Sequence, residues 1–287
     1  MSSTQAGRSA GGALVPKLAG RWAWWNQNSS QSFDLAKMVQ RAKDARLNGV
    51  IIKYGWPDVE RAFTAAGFPF AVERYVYPTQ PEKEATMLAN AVDAGAIAAV
   101  INAEVEWEPL GPEPMERLIA AFRARHPTVE LYASVDTRGN RLSLPYQRVL
   151  AQHIAGWLPM VYPLAFRPSR PAGYVASAFA DCLDGKGFGG IPVLPTIQTY
   201  DGIGSSAVRE ELAEVKQRNL LGCQAYTICH ATDEEWAEFA RQEAEMSDAD
   251  KAELYVLRVL RGVSEALAQG RLQDAVNALK VYLGVTA

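Results

Sequence analysis

The chain has 287 residues, 48% hydrophobic and 21% charged, with a formal net charge of −3. That composition suits one full-sized globular core with a small appendage. The acidic balance argues against a dedicated nucleic-acid binder, whose phosphate contacts need a basic surface.

Residues 1–16 are rich in Ser, Gly and Ala and lack a continuous apolar run. They read as a flexible arm, not a signal peptide. No apolar stretch is long enough to cross a bilayer, so no membrane partner is expected. The default expectation is a cytoplasmic protein, released or virion-associated only if another system carries it.

Over residues 17–245, strand-like and helix-like segments alternate. Gly20–Trp25 reads as a strand, followed by a helix over about 33–46. Gly49–Tyr54 is the second strand, with a helix from Pro57. Residues 68–77 form the third, and Pro81 opens its helix at a favoured early position. The fourth strand, 98–107, ends in acids, and its helix covers 113–125. Further strands are expected at 129–136, 154–162, 192–200 and 222–228. Helices follow them at 145–152, 172–183, 206–217 and 234–243. Eight such units predict an α/β fold, a closed (β/α)8 TIM barrel. The alternative, a doubly wound open sheet, lacks a Gly-x-Gly-x-x-Gly after the first strand. Pro159, Pro192 and Pro195 sit awkwardly in central strands and are expected at strand starts or bulges.

From 246 to 287 the pattern changes. Leu254, Leu257, Leu260, Val263 and Leu267 recur at helical spacing, Gly270 interrupts, and Leu272, Val276, Leu279 and Tyr282 form a second stripe. This predicts a helical hairpin, which either packs on the barrel or makes a homo-oligomer.

Chemistry concentrates at strand ends. In a strand, alternate residues share a face, so Asn102, Glu104 and Glu106 are expected to point one way. Buried acids are costly unless paired, solvated or useful. Barrel strands deliver catalytic groups at their carboxyl ends. Glu104 is the candidate acid, Glu106 its neighbour, and Asp136 a partner from the next strand. The bland reading pairs Glu104 with Lys53 inside the barrel. Trp25, Lys53, Tyr75, Tyr162, Gln198 and Tyr226 are the candidate substrate-binding residues, because aromatic faces and polar tips suit sugars. Tyr162 and Gln198 are equally placed to satisfy the barrel interior, and Trp22, Trp24 and Trp25 to fill its core.

His126, His153 and His230 fall on separate segments. Cys182, Cys223 and Cys229 lack Cys-x-x-Cys spacing. No metal, cofactor or disulfide framework is expected. Asp201-Gly202-Ile203-Gly204-Ser205-Ser206 offers either a phosphate-binding helix start or a plain cap by Ser205 or Ser206.

Asn102-Ala103-Glu104-Val105-Glu106 and Met160-Val161-Tyr162-Pro163 resemble the fourth and sixth strand ends of TIM-barrel glycoside hydrolases, the chitinase-like barrels and the family 25 lysozymes of phage lysins. The lysozymes end strand four in Asp-x-Glu and carry a lysine near strand two, as Lys53 stands here. The resemblance implies Glu104 as proton donor. Asn102 replaces the first acid, and Trp24-Trp25-Asn26 stands where those lysozymes have an Asp. The leading expectation is therefore a glycosidase acting on a cell-wall or surface glycan, with a carbohydrate as partner. The alternatives are an inactive glycan-binding or assembly barrel and a phosphate-recognising lyase or aldolase using Lys53.

Overall fold

The computed structural model describes residues 16–26 and 33–241. The arm expected over 1–16, apart from Pro16, and the hairpin expected over 246–287 lie outside the described residues. Strand parity divides the apolar side chains into two shells. One face of each strand fills the barrel: Trp22 and Trp24, Ile51, Ala71, Ala98 and Val100, Tyr132 and Leu158 pack as one buried cluster. The other face, including Ala23, Val50, Ile52, Val72, Ile101 and Val161, packs against the helices.

The strands are β1 (Gly20–Trp25), β2 (Gly49–Lys53), β3 (Phe70–Tyr75), β4 (Ala98–Asn102), β5 (Glu130–Val135), β6 (Gly156–Val161), β7 (Thr196–Gln198) and β8 (Gly222–Tyr226). They pair in parallel in chain order, and β8 closes on β1. Around them lie α1 (Leu35–Asp44), α2 (Pro57–Ala65), α3 (Pro81–Asp93), α4 (Glu113–Arg125), α5 (Pro145–Ala151), α6 (Pro163–Phe166), α7 (Tyr174–Leu183), α8 (Ser205–Gln217) and α9 (Asp233–Arg241). This is the predicted α/β TIM barrel.

Local chemistry accounts for many boundaries. Asp34 caps α1, accepting the Lys37 N–H at 3.1 Å. Proline opens α2, α3 and α5, where its missing N–H has no partner to lose. Gly49 leaves room for Trp22: a Cβ there would lie 2.4 Å from the indole. A Cβ on Gly222 would lie 1.9 Å from the Gly20 carbonyl oxygen, so barrel closure between β8 and β1 requires glycine. At the amino ends of the strands, fully buried Leu18 plugs the barrel, its N–H donating to the Tyr132 hydroxyl at 3.1 Å.

Two strands are half the expected length or less. The predicted seventh strand over 192–200 is only Thr196–Gln198. Pro192 and Pro195 precede it and contribute carbonyls alone, accepting from Trp157 and Gln224 at 2.8 and 2.9 Å. Pro159 does sit within β6, opposite Val135. Pairing between β6 and β7 begins only at Met160, so its missing N–H interrupts no bond on that side. The predicted fourth strand, 98–107, ends at Asn102.

Candidate active site

Where β4 stops, a 3-10 turn over Val105–Trp107 begins. Trp107 drives it: the indole is fully buried, and its N–H donates to the Val76 carbonyl at 2.8 Å. Glu104 remains extended (φ −116°, ψ −145°) and lines a cavity of about 360 Å3 at the carboxyl ends of the strands. Glu106 is carried onto the exposed rim instead. The expected common face of Glu104 and Glu106 is therefore broken after Glu104. Tyr75, from the end of β3, donates its hydroxyl to Glu106 Oε2 at 2.5 Å.

The sequence reading missed Glu73. Ala71 belongs to the barrel interior, so parity turns Glu73 and Tyr75 inward as well. Both line the cavity, and Glu73 is only 5% exposed. An acid within a buried strand, in phase with inward-facing Ala71 and Tyr75, was the available signal. Lys53 of β2 is in register with Glu73 and borders the same cavity.

Asn102 lines the same cavity as the two acids. Its amide favours the ionised form of both Glu73 and Glu104. Asn102 Oδ1 is buried without a hydrogen-bond partner. Burial lifts the Glu73 carboxyl to about 7. The Asn102 amide and the charges of Lys53 and Arg74 offset that rise in part, while Glu104 adds to it. Burial also raises Glu104, helped by the charges of Glu106 and Asp136 and opposed by Asn102 and Arg141.

An aromatic wall completes the cavity. Tyr162, Tyr200 and Tyr226 have ring centroids 5.5 to 5.8 Å apart. Trp24 packs edge-on to Tyr226 at 5.8 Å. Burial pushes the Tyr200 and Tyr226 hydroxyls up to about 12 and raises Tyr162 further, so all three stay neutral. Asn26 reaches the Tyr226 hydroxyl with its amide. Trp25 borders the cavity, but its ring stacks on the helix side against Phe33 and Phe63. Trp24 is the tryptophan that parity turns inward.

Two expected site residues are engaged elsewhere. Arg138 forms a multidentate pair with Asp136, Nη2 to Oδ2 at 2.7 Å, and Arg141 contacts the same carboxylate. Burial alone would raise Asp136; the Arg138 hydrogen bonds and both guanidinium charges overcome it and hold the carboxyl low. Arg141 also pairs with Glu108 at 3.0 Å, and Arg138 lies 3.8 Å over the Phe166 ring. Gln198 is buried and braces α6, accepting the Leu164 and Ala165 N–H groups at 3.0 and 3.4 Å. Its Nε2 donates to the Tyr200 carbonyl.

At the loop before α8, Gly204 donates its N–H to Glu235 Oε1 at 2.9 Å. That helix start already holds an internal carboxylate, and neither Ser205 nor Ser206 caps it. The phosphate reading is corrected accordingly. All three cysteines are free and buried. Among the described residues, no group of three or more His, Cys, Asp or Glu could hold a metal ion, and no helix is long and apolar enough to cross a membrane.

No protein-family model matches the chain, and no curated protein matches it. Solved structures do. A chitinase from Chromobacterium violaceum aligns with TM-score 0.55 at 12% identity, over 79% of this chain and 100% of its own. A class V chitinase from Nicotiana tobaccum aligns with TM-score 0.54 at 12% identity, over 80% and 99%. The Bacillus cereus spore cortex-lytic enzyme SleL gives TM-score 0.52 at 10% identity, over 77% and 73%. The chain thus shares the barrel fold of TIM-barrel glycoside hydrolases.

Proposed function

We propose that the protein is a glycoside hydrolase that cleaves an amino-sugar polymer of the chitin or cell-wall type, with Glu104 as the proton donor. One observation carries this reading: Glu104 borders a cavity walled by tyrosines and Trp24, where burial and nearby acids raise its carboxyl above the ordinary range. A carboxyl raised above its ordinary range is better suited to protonate a glycosidic oxygen. Aromatic faces with polar tips suit sugar rings and their hydroxyls. Glu106, exposed and oriented by Tyr75, has access to water and is the candidate base. Asp136 acts on Glu104 through its charge. Lys53, Tyr75, Tyr162 and Tyr226 supply polar contacts to the substrate, with Trp25 and Gln198 bracing the walls. Spatial neighbours among glycosidases include chitinases and a cortex-lytic enzyme, which motivates the choice of polymer.

The test is release of reducing ends from chitin oligosaccharides and from peptidoglycan. Wild-type protein is expected to release them. Glu104→Gln is expected to lose about 100-fold or more in turnover with an unchanged circular dichroism spectrum. Equal turnover of the two proteins would remove Glu104 from the mechanism.

A second reading, a glycan-binding barrel without cleavage, is favoured by one fact. Two arginines neutralise Asp136, so β5 offers Glu104 no free carboxylate. Calorimetric binding of an oligosaccharide without any reducing-end release would select it.

A further inference from the structure

We propose that Tyr77, together with Val105 on the neighbouring connection, forms a second sugar-binding position outside the cavity, on which a glycan seated in the cavity continues over the β3–β4 rim. The proposal rests on the function given above and deepens it. The substrate it implies is a chain of several sugars that crosses the barrel mouth, not a short oligomer held by the cavity alone.

Among the described residues, two large hydrophobic side chains are exposed, Tyr77 at 46% and Val105 at 61%. A lone exposed apolar side chain needs no explanation. These two stand at one rim, on the connections that follow β3 and β4. The backbone that carries Tyr77 is firmly held. Val76 is fully buried among the side chains that face the helices. Its N–H donates to the Asn102 carbonyl at 3.0 Å, and its carbonyl accepts the Trp107 indole N–H at 2.8 Å. Alternation then returns Tyr77 to the side of Tyr75, and the two rings lie 5.2 Å apart, tilted at 54°. Pro78 favours an extended backbone at the residue before it. Tyr77 thus presents a ring whose inner neighbour, Tyr75, lines the cavity.

Its place on the barrel decides its ligand. In a closed ring of eight strands, β3 stands opposite β7. The tyrosine wall of the cavity, Tyr162, Tyr200 and Tyr226, comes from the ends of β6, β7 and β8. A chain resting on both aromatic surfaces therefore crosses the mouth of the cavity that Glu104 lines. The chemistry of the rim suits an uncharged ring with hydroxyls at its edge. The Tyr77 face takes apolar C–H groups, and its hydroxyl stays free to bond. Tyr75 holds the Glu106 carboxylate at the same rim, its hydroxyl 2.5 Å from Oε2, as an acceptor for sugar hydroxyls. A stable protein partner covers about 800 Å2 per side with several buried anchors, more than this pair of side chains offers.

The experiment measures, by calorimetry, the affinity for oligosaccharides of chitin and of peptidoglycan from disaccharide to hexasaccharide. It uses the full chain carrying Glu104→Gln, so that bound chains stay intact. Affinity should rise with length. Adding Tyr77→Ala should weaken the hexasaccharide about five- to tenfold and leave the disaccharide unchanged. Tyr77→Phe keeps the ring and should bind like its parent. Val105→Ser should weaken the hexasaccharide by a smaller factor. The inference is overturned if Tyr77→Ala leaves hexasaccharide affinity unmoved, if it weakens short and long chains equally, or if Tyr77→Phe loses as much; each of these results leaves the proposed function standing. Should Tyr77→Ala fail to fold, an unmoved hexasaccharide affinity in Val105→Ser overturns it alone. A protein that binds none of these oligosaccharides refutes the proposed function and the second position together.

Discussion

The rim formed by β3 and β4 differs sharply from the rim formed by β5 and the loop after it. Both end in acids. At β5, Asp136 meets Arg138 and Arg141, and Arg141 also meets Glu108, so two negative charges face two positive ones. At β3 and β4, Glu73 and Glu104 line a cavity with Lys53 and the uncharged Asn102 amide, while the guanidinium of Arg74 is paired with Glu84 and that of Arg141 with Asp136 and Glu108. The first arrangement holds a carboxyl below its ordinary range; the second lifts two carboxyls above it. A strand-end acid becomes a proton donor or a structural anion according to the charges that neighbouring segments bring to it.

Substitutions can break this contrast. The largest effect expected on activity is at Glu104: Glu104→Gln removes the proposed donor and should cost about 100-fold or more, read as reducing-end release. Tyr75→Phe comes next. It removes the hydroxyl that orients Glu106, and loss of a hydrogen bond to a charged acceptor, about 1.5 kcal/mol, predicts roughly tenfold lower kcat/KM if Glu106 is the base.

Asp136→Asn should act on stability instead. The arginines are each about two-fifths exposed, at 42% and 39%. Solvent screening therefore limits the loss to about 1 kcal/mol, measurable by urea unfolding at pH 7. Its sign with pH follows from the depressed folded pKa. The contribution is present above the unfolded Asp value and disappears as pH falls through the lower folded value. Wild type and variant should converge in strong acid.

Glu211 extends the contrast into the helix layer. It is fully buried, accepts the Gln198 N–H at 3.0 Å, and is raised well above the ordinary range by burial, with Glu235 and Glu210 adding to the rise. A carboxyl raised on folding favours the native state at low pH and penalises it as pH rises through the folded value. Glu211→Gln keeps the acceptor and cannot ionise. It should melt like wild type at pH 4 and a few degrees higher at pH 8, about 1 kcal/mol. Scanning calorimetry at the two pH values checks it.

Much of the architecture was legible in the chain. The bounds of β1 and α4 match the expected Gly20–Trp25 and 113–125, because period-2 apolar runs and proline or acid-rich helix starts are local signals. Glu104 at a strand mouth was legible for the same reason. Glu73 was overlooked because only strand ends were searched, whereas β3 contributes its cavity residue from within the strand. Glu106 was misaligned because burial of Trp107 turns the backbone immediately after Glu104. Gln198 reads as a ligand from its position, yet the backbone of α6, a short helix that no sequence signal marked, occupies its carbonyl.

The order of residues alone determined the eight alternating units and which side chains in each strand face inward, since both follow from periodicities of a few residues. Only the closed barrel decided the proton affinities. Charge interactions act across space, and the partners of Glu73, Asn102 and Glu104 come from β2, β3 and β4, brought together by strand pairing that no single segment encodes.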